Sequence, residues 1–174
     1  EYMGEHGLME KNNLYESVYH IPCVISMPWK NIQERRCNTW INVVDFAPTL
    51  AGMLGIPYPF KVQGKDLSTH LLENRETEQV LYIHPSDVPR AGILTPEFEL
   101  AYVGKGWCEE EFHDHILFDM RKDPLQMTNV FGKPEYAKVQ KMLTEKLKRH
   151  FEEIGTPKKF LPKEVWTVEE KDGN

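Results

Sequence analysis

Between residues 134 and 154, Tyr136, Val139, Leu143, Leu147, Phe151 and Ile154 recur at steps of three and four, which lays one apolar stripe along a helix. Lys138, Lys141, Lys146 and Lys148 fill the rest as a solvated face, and Gly155 ends the element. Ahead of this helix the pattern is that of short strands. Residues 80–83, 98–103 and 115–119 are β-rich runs with tight connections, and they predict an antiparallel sheet. The first third differs again. Residues 20–27 are continuously apolar rather than alternating, which predicts a strand covered on both faces as in a parallel sheet, with Cys23 buried as a free thiol. A helix is predicted over residues 44–54, with Asp45 as its cap, Pro48 in its first turn and Gly55 as its stop. Shorter helices are predicted over residues 12–19, with an Asn as N-cap, and after Gly64, ending near Asn74. Pro57 and Pro59 force an extended stretch between them, and residues 169–174 read as a frayed end.

The pattern divides the chain into an α/β piece over residues 1–76 and a small antiparallel-sheet subdomain over residues 77–174 that carries the helix 134–154. One apolar strand with two short helices cannot cover both faces of a parallel sheet, so the first piece needs neighbours from outside this sequence. The opening Glu1-Tyr2-Met3-Gly4, with neither an initiator methionine nor a basic-then-apolar leader, reads as an internal cut in a longer chain.

Composition narrows the classes. The 174 residues are 40% hydrophobic and 28% charged, enough for a core and a wetted surface, and no run approaches the roughly 18 apolar residues of a membrane span. A net charge of -6 turns against nucleic-acid phosphates but not against a small anion, for which a pocket can be locally basic. Cys23, Cys37 and Cys108 are odd in number, widely spaced and without a CxxC pair, so they make neither a disulfide framework nor a zinc site and leave room for one disulfide at most.

Candidate chemistry concentrates at the start. Gly4-Glu5-His6-Gly7 followed by Lys11 joins two glycines, which permit unusual backbone angles and close ligand approach, to a histidine and a lysine able to hold an oxyanion. By itself this is also the composition of a surface loop. His84 and Arg90 bracket residues 85–89 in a loop able to line an anionic pocket. His113 and His115 alternate as a strand pair would, but without a third partner they read as solvent-facing rather than as a metal site. Gly64-Lys65 lacks the rest of a phosphate-binding loop and reads as a turn, and no serine sits in a nucleophile elbow.

Four blocks in order resemble the C-terminal portion of the sulfatases, of the alkaline-phosphatase-like superfamily. They are Gly4 to Lys11 with Tyr15-Glu16 and residues 20–28; residues 43–50 with Gly55-Ile56-Pro57 and residues 63–67; residues 90–95; and residues 117–119 with Asp123-Pro124 and Asn129. The resemblance implies the C-terminal end of the sulfatase α/β domain plus its small antiparallel subdomain. It implies a sulfuric ester hydrolase of arylsulfatase-like type, whose formylglycine nucleophile and Ca2+ are supplied by the N-terminal part of the same protein. No cysteine here is followed by Pro or Ala at the second position and Arg at the fourth, so this chain offers no formylglycine precursor of that kind and no metal ligands, and alone it is expected to be inactive. Lys11 matches a family lysine that contacts the sulfate and bridging oxygens, and is the catalytic candidate. His6, His84 and Arg90 are the candidates for substrate binding. Leu94 and the acidic, apolar run of residues 97–100 depart from the basic and Tyr-Lys positions of many members near the leaving group. The expected partners are a sulfated small molecule or saccharide and the N-terminal part of the protein, in a periplasmic or secreted setting. The alternatives are a phosphonate or phosphate ester hydrolase of the same superfamily and a non-catalytic binding module.

Overall fold

The computed structural model describes residues 2–9, 11, 14–84, 90–104 and 114–167. Two compact units emerge: Glu1–His20 with Tyr82–Asn174, and Ile21–Leu81. Compactness thus groups the first twenty residues with the later sheet.

Four strands, β1 (Leu81–Ile83), β2 (Arg90–Leu94), β3 (Phe98–Val103) and β4 (Ile116–Asp119), form a sheet in the order β1-β2-β3-β4. The β2–β3 and β3–β4 pairs are antiparallel, with Gly92 opposite Ala101 and Glu99 opposite Phe118. Pattern reading misses β2, because Ala91 and Gly92 carry little strand propensity. Its partner supplies the missing preference: the turn after it is closed by Thr95, whose hydroxyl accepts the Phe98 N–H at 3.0 Å. At the β4 edge, Asn129 stands in for a strand. Its carbonyl oxygen accepts from Leu117 N–H at 3.0 Å and its amide donates to the His115 carbonyl at 2.9 Å.

The long helix predicted over residues 134–154 is present as a 3-10 turn, Pro134–Tyr136, leading into an α-helix, Ala137–Glu153. Its buried residues Leu143, Thr144, Leu147 and Phe151 face the sheet, and the Tyr102 hydroxyl meets Thr144 Oγ1 at 2.7 Å. Residues of the first segment cover the opposite sheet face, where Leu14 packs with Ala101, Ile116 and Phe118. Gly92 makes room for this: a methyl there would lie 3.3 Å from Leu14 Cδ1. The helix predicted over residues 12–19 is a single turn, α1 (Glu16–Tyr19), and residues 12 and 13 lie outside the described residues.

In the second unit, α2 (Val43–Leu54) begins one residue earlier than predicted, and its cap lies further upstream. Asn42 is the N-cap and Asp45 is its capping-box partner, accepting the Asn42 N–H at 3.0 Å, so the assignment of Asp45 as cap is corrected. Pro48 consequently lies inside the helix rather than in its first turn. Gly55 is the left-handed stop, as predicted, at φ 68°. The face of α2 carrying Asp45, Thr49 and Gly52 holds the segment before α3 (Ser68–Glu73). Asp45 Oδ1 accepts Lys65 N–H at 2.8 Å, and Thr49 Oγ1 accepts Leu67 N–H at 3.0 Å. A Cβ on Gly64 would collide with the Val44 carbonyl, and one on Gly52 with the Asp66 carboxylate. Two sequence blocks separated by a turn are thus one interlocked unit.

The expectation for residues 20–27 is corrected. No strand forms there; Val24 is 95% exposed, and Cys23 is exposed rather than buried. A strand buried on both faces exists only when neighbours pair with its edges, and among the described residues none does.

Candidate functional site

The glycine–histidine loop is a closed turn. Gly4 at φ 100°, His6 at φ 53° and Gly7 at φ 70° take left-handed backbone, which lets Glu5–Gly7 form a 3-10 turn. Gly7 N–H donates to the Gly4 carbonyl at 3.1 Å, Leu8 N–H to the Glu5 carbonyl at 2.9 Å, and Gly4 N–H back to the Leu8 carbonyl at 3.0 Å. The His6 ring stacks on Tyr15 at 4.2 Å, and Tyr2, itself 1% exposed, sets its ring edge against Tyr15 at 5.8 Å. Tyr15 in turn leans on Phe118 of β4 at 5.5 Å. This aromatic series carries the loop to the sheet. Lys11 stands exposed just beyond it, with no ion-pair partner among the described residues.

The remaining candidates fall elsewhere. His84 is exposed, its Nε2 donating to the Phe160 carbonyl at 3.3 Å and its ring edge on Phe151 at 5.4 Å, so it belongs with the long helix. Arg90 is half-buried and opens β2 opposite Val103. Residues 85–89 between them lie outside those described, as does His113. Contacts therefore bring His6 together with Tyr15 and Tyr2, and His84 with Phe151 and Phe160 on the other face of the sheet. His115 is not solvent-facing as read from the sequence. Its Nδ1 accepts Val103 N–H at 3.1 Å and its ring lies against Tyr102 and Phe131. These contacts leave it half-buried, where the lack of a third metal partner had suggested a solvent-facing side chain.

The sequence reading missed the polar core beneath the loop. Glu99, 1% exposed, accepts at Oε2 from the Tyr19 hydroxyl at 2.6 Å and from the Gln126 amide. Burial pushes its carboxyl up to about 8 against the pull of those hydrogen bonds, with Glu16 adding repulsion. Burial, reinforced by Glu99, likewise pushes the Tyr19 and Tyr15 phenols above their ordinary value. An acid in an apolar strand is the one signal that could have marked Glu99, but exposed Glu97 two residues away gives the same signal. As for a resident metal, no group of three His, Cys, Asp or Glu side chains able to hold one occurs among the described residues. No helix of the described residues is long and apolar enough to cross a membrane.

Comparison with known proteins places this geometry. Residues 4–153 match the family described as N-sulphoglucosamine sulphohydrolase, C-terminal. An N-acetylglucosamine-6-O-sulfatase of Bacteroides thetaiotaomicron is 34% identical over 159 residues, covering 84% of this chain and 27% of that protein. An ulvan-active sulfatase of Formosa agariphila is 28% identical over 168 residues, covering 89% of this chain and 31% of its own length. A solved structure of an enzyme in complex with its substrate D-glucosamine-2-N,6-O-disulfate superposes with a TM-score of 0.52 at 31% identity, over 64% of this chain and 24% of that one. The chain thus spans under a third of the length of these relatives. Its four-stranded antiparallel sheet and long helix are those of the C-terminal portion of the alkaline-phosphatase-like fold, and the chain belongs to the sulfatase family.

Proposed function

We propose that the protein containing this chain hydrolyses sulfate esters of a saccharide, releasing sulfate and the sugar alcohol. The match over residues 4–153 carries the reading. The relative named for N-acetylglucosamine 6-O-sulfate and the glucosamine disulfate bound in the superposed enzyme favour a 6-O-sulfated hexosamine as substrate. Lys11 is the catalytic residue. As the bridging S–O bond breaks, its oxygen gains negative charge, and an ammonium held there favours that state over the ground state. His6, fixed by Tyr15 and Tyr2, orders the turn and faces the sulfate. His84 and Arg90 are proposed to contact the sugar. The formylglycine nucleophile and Ca2+ are proposed to come from another part of the polypeptide, as the family match implies. That part is also the proposed cover for the exposed apolar side chains Val43, Phe46, Leu50 and Leu54. A periplasmic or secreted location fits such a substrate.

In the full-length protein, Lys11→Ala is expected to lower kcat about 100-fold or more on a 6-O-sulfated glucosamine, with the melting temperature unchanged. Near-normal turnover by this variant overturns the role of Lys11. Turnover of a phosphonate monoester or phosphate diester in preference to any sulfate ester overturns the reaction class.

A further inference from the structure

Glu99 is a carboxylic acid set in an apolar strand, on the sheet face that the first segment covers. Its Oε2 receives the Tyr19 hydroxyl at 2.6 Å and the Gln126 amide N–H. The Gln126 side-chain oxygen in turn accepts the Glu16 backbone N–H at 2.8 Å, at the start of α1. Leu14 is buried against Ala101 and Gly92, and Tyr15 stacks on His6. Residues 14–19 are therefore held at four successive points, while buried Tyr2 holds the other end of the loop. Everything between these anchors is the turn with His6 and the segment reaching Lys11. A buried acid is an expensive way to fill a core, since an apolar side chain of similar size would pack there without losing hydration. What a hydrophobe would not supply is an oxygen that fixes Tyr19 and Gln126 in one register.

We propose that Glu99, Tyr19 and Gln126 form a positioning unit that sets where the loop bearing His6 and Lys11 lies over the sheet. The consequence for turnover rests on the role given to Lys11 above. An ammonium displaced by about 1 Å from a developing charge loses much of its effect, so loosening the anchors lowers kcat more than it weakens binding. None of the three residues touches the reacting atoms; each acts through the placement of Lys11.

The test uses the full-length protein with Tyr19→Phe, Glu99→Ala and Glu99→Gln, and with Tyr102→Phe as the control. The Tyr102 hydroxyl bonds Thr144 on the opposite sheet face, so its loss is an equivalent structural deletion remote from the loop. Two readouts are taken: kcat and KM on a 6-O-sulfated glucosamine, and hydrogen exchange at the Gly4, Gly7 and Leu8 amides. Tyr19→Phe and Glu99→Ala are expected to lower kcat about tenfold or more, with KM moving less than about threefold, and to speed exchange at the three loop amides. Glu99→Gln keeps an acceptor oxygen and is expected to recover most of the loss. Tyr102→Phe should leave kcat and loop exchange as they are. Wild-type kcat and unchanged loop exchange in Tyr19→Phe overturn the proposal, as does an equal loss in Tyr102→Phe. Should Glu99→Ala fail to fold, Tyr19→Phe still decides, because it removes a single oxygen. Should the wild type cleave no sulfate ester, the functional reading falls while the exchange measurement still decides the positioning.

Discussion

A single carboxyl, that of Glu99, concentrates the tension between stability and placement in this chain. Its folded-state pKa is raised to about 8 from 4.5, burial being the largest cause. The native state therefore keeps a proton that the unfolded chain gives up above about pH 4.5, so the stability this group contributes is fully present below that pH. It is lost progressively as pH rises to about 8, and levels off above. The expected outcome is a melting temperature that falls across that window and a flatter profile for Glu99→Gln, read by circular dichroism in matched buffers. An unchanged slope in Glu99→Gln would show that other groups set the pH dependence. Sequence marked Glu99 only as an acid in an apolar run. Exposed Glu97 and buried Glu99 look alike in one dimension, and only the fold of residues 14–19 over β3 separates them.

At the scale of elements, α2 shows what a helix with two working faces looks like. Asp45, Thr49 and Gly52 grip residues 64–68, while Val43, Phe46, Leu50 and Leu54 form an apolar stripe left exposed. Pro48 has no N–H to give the Val44 carbonyl its helical partner, and Gly64 lies directly against that carbonyl. A Cβ at residue 64 has backbone, not a flexible side chain, in its way. Gly64→Ala is accordingly expected to cost about 1–3 kcal/mol, seen as a lower urea midpoint with an unchanged slope, and a wild-type midpoint would refute the close approach. The 3.6-residue period of the long helix was legible because it repeats over several turns, and α2 was legible from its glycine stop. Strand β2 was not legible, because its stability comes from β3 and from the turn at Thr95 rather than from its own residues.

For the whole molecule, the exposed apolar side chains govern behaviour. Ile21, Val24, Phe46, Leu50 and Phe60 are each at least 43% exposed, and they fall within one stretch of sixty-odd residues. Surface of this kind is unstable in water unless covered. Residues 1–174 expressed alone are expected to bind a hydrophobic dye and to elute above monomer size, and Phe46→Lys with Leu50→Lys to reduce both. A monomer that binds no dye would mean the stripe needs no cover. Features whose signal is local were legible in one dimension: the amphipathic period of the long helix, the glycine stop of α2, the strand at residues 98–103, and the ordered blocks that carry the family. Residues 20–27 lay beyond it, because an apolar run becomes a strand only if neighbours bond its edges, and such neighbours are a property of the assembled fold. The loop divides in the same way. Glycines at residues 4 and 7 permit the closed turn, since left-handed backbone is a local property of glycine. That Tyr15, Tyr19 and Glu99 fasten the turn to the sheet is a matter of tertiary contacts, because these join residues some eighty to a hundred positions apart.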